Sequence, residues 1–297
     1  MSEITRPTDP LLAAVSAGVR AYDLGRPMFI GMPQSQEHVP FRMAIGRRHG
    51  DRVRVDGTSG ASEIIVTGGH VGTHVDALSH VSHDGLLHGG IDAGAACVGG
   101  RYAAGGVEEV DPMLGRGILL DVPRALGVGL CEAAYEITVA DLEAALALTG
   151  LTPAPGDVIL VRTGWGSIWD DGERFSGEVD GAPGPGEAGC RWLAELQPAA
   201  VGGDTVAFER ISPAGVEPSL PGHRVLIVES GIPIVEMLDL EELAAAQVAE
   251  FLFVLSPLKL IGATGSPVRP LALVADGASD LRVDIDHQSS EARVEGE

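Results

Sequence analysis

Glycine and proline punctuate this chain from end to end, and that punctuation limits it to short elements. Its 297 residues include 41 glycines and 19 prolines, with no Ser/Gly linker or shift of composition to divide them. Proline removes a backbone donor and clashes with the preceding helical turn, and glycine costs a helix about 1 kcal/mol relative to alanine. Many short strands and turns are therefore expected, not a helical bundle. The length fits one large domain or two modest ones at roughly 150 residues each. With 45% hydrophobic residues there is material for a substantial core. The reading is a single domain over 21–275, preceded by a lightly packed lead-in, 1–20, and followed by an acidic tail, 276–297.

Strands are expected at Glu63–Thr67, Gly117–Val122, Val158–Arg162, Ala200–Gly203, Ile232–Val235, Phe251–Leu255 and Pro270–Val274. Each is short, rich in β-branched residues or leucine, and bounded by Gly, Pro or Asp. Helices are fewer. Thr138-Val-Ala-Asp141 has the reciprocal capping pattern, with Gly150 as its stop. Two more are expected at Gly186–Leu196 and Asp239–Val248. The apolar stretch His223–Glu229 fits a helix turn or a strand equally well. Strands interspersed with a few helices argue for one α/β domain around a large sheet.

Charge narrows the function. Twenty basic residues against 42 acidic ones give −22, and a surface of that sign repels phosphate backbones, so nucleic acid is excluded as a partner. Three widely spaced cysteines form neither a disulfide framework nor a CxxC knuckle. No basic start followed by a long apolar stretch suggests a secretory signal, and the apolar runs are too short for a bilayer. A soluble, cytoplasmic protein acting on a small molecule, with no membrane partner, is the expectation.

The chemistry concentrates in GGHVGTHVDALSHVSHDGLLHGG, 68–90, where five of the nine histidines fall between His70 and His88. His70, His74, Asp76 and His80 stand at relative positions 0, 4, 6 and 10. Imidazole and carboxylate together suit Zn²⁺, Mn²⁺ or Fe²⁺. Gly72 lets the backbone turn tightly between two imidazoles, and Thr73 can stiffen the turn by a local hydrogen bond. His83, Asp84 and His88 lie in a DG-containing loop and read as solvated or supporting groups. His38, His49 and His287 stand outside the constellation. The glycine-rich GATGSP, 262–267, lacks the Gly-Lys-Ser/Thr ending of a phosphate loop.

HVGTHVDALSH resembles the HxGTHxDxxxH motif of the metal-dependent cyclase-like hydrolases, among them bacterial kynurenine formamidases, isatin hydrolases and some lactone and lactam hydrolases. The likeness continues through RGILLDV (116–122), VRTGW (161–165), VGGDTVAFE (201–209), PGHRVLIVESGIPIVEMLDLEEL (221–243) and FLFVLSPLKLIGATGSPVRPLAL (251–273). It implies a swivelling β/β/α fold, with a central mixed sheet or barrel-like β core and flanking helices. It implies that His70, His74 and Asp76 bind metal and that His80 acts in acid/base catalysis. A second ion would be held by Asp76 with His223 and Glu236, whose spacing of 13 is one residue longer than the formamidases' own. Glu209 is placed near the site, where it could orient a ligand imidazole or form an ordinary salt bridge. One or two zinc or manganese ions per subunit, and a homodimer or homotetramer, also follow from the resemblance.

Those residues suit metal-assisted hydrolysis, since a bound divalent ion lowers the pKa of its water from ~15.7 toward ~7. His80, with an ordinary pKa near ~6.5, could take the water's proton and return it to the leaving nitrogen or oxygen. The expected reaction opens a C–N or C–O acyl bond in a cyclic amide or imide, an aryl formamide or a lactone. A non-enzymatic metal-binding protein, or a metal-dependent lyase or isomerase on a small carbonyl compound, are the alternatives. Aromatic residues are only 4% of the chain, so Phe29, Trp165 and Trp169 are candidates for a pocket wall on which a flat substrate packs, or else for core filling.

Overall fold

The structure is a computed structural model that describes residues 9–216 and 219–276. Nearly all of the acidic tail, and the first eight residues of the lead-in, lie outside the described residues. The remaining lead-in forms a short exposed helix, Pro10–Ser16, whose amides at Leu11 and Leu12 are capped by the Asp9 carboxylate.

A nine-stranded mixed sheet organises the chain. Its strands in chain order are β1 (Val19–Asp23), β2 (His74–Asp76), β3 (Met113–Asp121), β4 (Val158–Arg162), β5 (Ala200–Gly203), β6 (Ile234–Glu236), β7 (Glu250–Leu255), β8 (Gly265–Pro267) and β9 (Leu271–Ala275). Their spatial order is β1-β9-β7-β3-β4-β5-β6-β2-β8. Strands β3 to β6 run parallel to one another, and antiparallel strands flank them on both sides. The sheet ends at β1 and β8, so it is open, not a closed barrel.

Both faces of the central strands are buried, which explains their unbroken apolar runs. Along β4, Val158 and Leu160 join one core with Tyr22, Leu119, Val235 and Phe253. Ile159 and Val161 join the other, with Ile118, Leu120, Val201 and Ile234. Helices cover this second face. Val139–Thr149 contributes Leu142 and Ala145, and has the reciprocal Thr138–Asp141 cap and left-handed Gly150 read from the sequence. Glu187–Glu195 contributes Cys190 and Leu193. The helix expected over 239–248 is shorter, Glu241–Ala245, because Gln247 already adopts a left-handed backbone that ends it. The ambiguous 223–229 stretch is helical: one α-turn, Pro221–His223, runs into a π-helical turn, Arg224–Glu229.

Candidate metal centre

Strands β2 and β6 pair antiparallel with Glu236 opposite His74 and Ile234 opposite Asp76. That register brings the HxGTHxD segment against the end of a parallel strand 160 residues away in sequence. The loop ahead of β2 turns at Gly72, where φ is +71°, and a Cβ there would also stand 3.3 Å from Met28 and Met32. Glycine answers both constraints. The Thr73 hydroxyl accepts from the Arg26 amide at 2.8 Å and donates to the Met237 carbonyl at 2.7 Å. It thus ties the motif to the residue following Glu236.

His74 and His223 are each aimed by an outer nitrogen. His74 Nδ1 lies 2.7 Å from the Gly72 carbonyl, which can only accept, so Nδ1 carries the proton and Nε2 faces inward. There it stands 3.4 Å from Asp76 and 3.2 Å from Glu236. Glu209 is buried and takes both the His223 amide, at 3.1 Å, and its Nδ1, at 2.7 Å. That turns His223 Nε2 toward Asp76 and Glu236, at 3.5 and 3.4 Å. A carboxylate so placed fixes the orientation of the imidazole it holds. His70 contacts Asp76 through Nδ1 at 2.6 Å and Thr264 through Nε2 at 2.8 Å. The His80 ring stacks on His70 with centroids 3.8 Å apart.

Among the described residues two groups could hold an ion, His70–Asp76–His80 and His74–Asp76–Glu236, each with its candidate ligand atoms within 4.8 Å of one another. The grouping differs from the one the resemblance implied. His74 turns away from His70 toward Glu236, and His80 occupies a ligand-competent place beside His70. His223 faces the second set. The π-helical turn Arg224–Glu229 stands between His223 and the strand that carries Glu236.

The electrostatics fit a cation. Asp76 is fully buried, and its Oδ2 makes no hydrogen bond among the described residues. An unpartnered buried carboxylate oxygen is costly, and a divalent ion would satisfy it. Burial and the neighbouring Asp76 push Glu236 above the usual carboxylate range. Burial works against ionised Asp76, but the surrounding imidazoles hold it well below that range. Burial would lower His74 too, but Asp76 and Glu236 raise it to about 10. His80 goes the other way: burial pushes it down to about 3, and Asp76 only partly offsets this.

A family profile, Cyclase, matches residues 22–210. The chain belongs to the Cyclase family. It is 25% identical over 230 residues to the isatin hydrolase of Roseibium aggregatum, a match covering 74% of this chain and 77% of that one. The crystal structure of another cyclase superposes with a TM-score of 0.78 at 31% identity, covering 89% of this chain and 93% of that one. Isatin hydrolase A from Ralstonia solanacearum superposes with a TM-score of 0.69 at 21% identity, covering 92% and 100%, which speaks for the fold.

Several residues fall differently from their reading in the sequence. Trp165 is wholly buried, packs with Met32, Phe41 and Phe175, and donates its indole N–H to the Phe175 carbonyl at 3.1 Å. No ring face remains for a substrate, so it fills core. Trp169 packs in the same cluster beneath the Arg26 guanidinium. Phe29 is at the surface, 47% exposed. His38, set apart in the sequence, lies 5.2 Å from the His70 ring and 6.3 Å from His80, centroid to centroid. GATGSP holds no phosphate loop. It supplies Thr264 and edge strand β8, and a Cβ at Gly265 would meet the His70 ring at 2.5 Å. Its glycine content was the available signal, but nothing local tied it to His70.

Proposed function

We propose that this Cyclase-family chain is a metal-dependent hydrolase that opens a C–N or C–O acyl bond in a small cyclic amide or imide, an aryl formamide or a lactone. The observation that carries the reading is Asp76: a buried carboxylate shared by two convergent ligand sets, with one oxygen unpartnered. Its similarity to an isatin hydrolase favours a cyclic amide. Zinc or manganese, one or two ions held by His70, His74 and Asp76, with His223 and Glu236 for the second, would polarise the substrate carbonyl and acidify a water.

The chain's own residues do the rest. Glu209 and the Gly72 carbonyl fix the tautomers of His223 and His74, so their lone pairs face the centre without reorganisation. Thr73 and Thr264 hold the motif and His70 in place. His80 is the acid/base group. As a neutral imidazole it can accept a proton from the attacking water and return it to the leaving nitrogen or oxygen.

The purified chain, reloaded with Zn²⁺ or Mn²⁺, is to be assayed against formamides, imides, lactams and lactones. Ring-opened product carrying oxygen from isotopically labelled solvent is expected. Turnover without solvent oxygen would make the enzyme a lyase or isomerase. A loaded protein inert toward the whole panel would leave the metal-binding reading in its place. His80→Ala should keep its metal and lose turnover, whereas loss of metal would make His80 a ligand.

A further inference from the structure

Five imidazoles gather at the centre, those of His38, His70, His74, His80 and His223. His38 has no part in either candidate ligand group and none in the proton transfers assigned to His80. Its ring lies 5.2 Å from that of His70, tilted by 30°, and 6.3 Å from that of His80, tilted by 46°. His70 and His80 are stacked on each other at 3.8 Å, so His38 leans on the pair as a third ring.

The loop that carries His38 is fixed without using that ring. The His38 amide donates to the Ser35 carbonyl at 3.4 Å. The Gln34 carboxamide donates to the His38 carbonyl at 3.5 Å and accepts from the Phe41 amide at 3.3 Å. Phe41 is buried in the cluster of Met32 and Trp165. The Val39 carbonyl accepts the amide of Gly68, which leads into His70, at 2.9 Å. Among the described residues the hydrogen bonds of His38 are those of its backbone, which leaves both ring nitrogens to an outside partner.

Exposure shows where that partner comes from. His70, His74 and His223 are buried, as are Asp76, Glu209 and Glu236. Of the five imidazoles, only those of His38 and His80 are partly open to solvent. A molecule arriving from water meets these two rings first.

We propose that His38 determines specificity at this site: its ring N–H donates to a second oxygen of the substrate, distinct from the carbonyl that undergoes attack. This rests on the hydrolase reading above. An imidazole keeps at least one N–H whether neutral or charged, so the donor is always present. Because His38 stands outside both ligand groups, it meets a part of the substrate other than the reacting carbonyl. The substrate is thereby narrowed to compounds with two oxygen acceptors, a cyclic imide before a simple lactam or lactone. A compound with one acceptor displaces water from the N–H and gives it no partner, and that loss discriminates against it.

The test separates recognition from turnover. Calorimetry on the zinc-loaded full chain compares gem-dimethyl indanedione with gem-dimethyl indanone, which carry two carbonyl oxygens and one, and no C–N or C–O ring bond to open. The dione is expected to bind about tenfold more tightly, the effect of one hydrogen bond. His38→Phe keeps a flat ring beside His70 but has no N–H, and should abolish the difference. His38→Gln restores a donor and should recover most of it. In turnover, His38→Phe should raise KM for phthalimide about tenfold, with kcat near wild type and KM for phthalimidine, the lactam lacking one oxygen, unchanged. Zinc affinity in a chelator titration should be equal in all three proteins.

A preference for the dione that survives in His38→Phe overturns the proposal. So does a wild type that binds dione and ketone equally, or neither, and so does loss of zinc from His38→Phe, which would make the residue part of the metal centre. A chain inert toward every substrate, yet with a dione preference that depends on His38, keeps the recognition and removes the hydrolase reading. An active hydrolase indifferent to His38 does the reverse.

Discussion

The metal centre and the 42–66 hairpin invert the usual relation of polarity to burial, and in opposite senses. At the centre, Asp76, Glu236, Glu209, His74 and His223 are packed out of water. In the hairpin, where Arg42–Arg47 pairs antiparallel with Ser62–Val66, Met43, Ile45, Ile64 and Ile65 are about half exposed to it. Either arrangement costs free energy in the isolated chain, by stranding charge or by wetting apolar surface. A bound cation would compensate the first. Regions that violate the burial rule are therefore where function is to be sought.

The comparison breaks first at Asp76. Asp76→Asn removes the carboxylate common to both ligand sets, so metal content should collapse and activity fall about a hundredfold or more. Metal analysis of variant against wild type checks it, and equal stoichiometry would refute ligation. Glu209→Gln is a milder probe. It keeps shape but weakens the hold on His223 Nδ1, and metal affinity should fall about 10–100-fold in a competitive chelator titration. Unchanged affinity would make Glu209 a packing residue.

An ordinary ion pair, a buried carboxylate with a half-buried guanidinium, calibrates these effects. Asp157 accepts from Arg116 Nε and Nη2, at 3.0 and 2.6 Å, and from the Ala154 amide at 2.7 Å. Burial alone would raise its pKa, but these donors hold it below the usual value. A carboxyl whose pKa is depressed on folding adds stability above its unfolded pKa near ~3.9, and loses it as pH falls through the folded value. Asp157→Asn should therefore cost about 1–3 kcal/mol in urea melts at neutral pH. The gap from wild type should close as the pH is lowered past 4, on the order of the unfolded carboxyl pKa. A gap that persists in acid would mean the loss is one of packing.

The smallest effect is expected in the hairpin. Ile64→Ser should change unfolding stability by no more than about 0.5 kcal/mol in urea melts, as for an exposed side chain. A larger penalty would mean the ribbon is packed within the chain.

Much of the fold was legible because its signals are local. The seven expected strands all form, since β-branched runs between breakers need only their neighbours to declare themselves. The Thr138–Asp141 cap is likewise settled within four residues. The π-helical turn after His223 was not legible, because extra winding depends on what the turn packs against. Nor was the burial of Trp165, which is decided by Met32, Phe41 and Phe175 from distant segments. His70, His74 and Asp76 stood out as candidate ligands by spacing, while Thr264 and His38 had no neighbour to mark them.

By itself the sequence determined the residue types and the glycine-turned motif that can hold a divalent ion, because ligand chemistry and backbone freedom are carried by single residues and their immediate spacing. Only the tertiary structure decided which imidazole faces which carboxylate, that Glu209 aims His223, and that the 42–66 hairpin stands exposed. Those are distances between segments far apart along the chain, and strand register and packing set them.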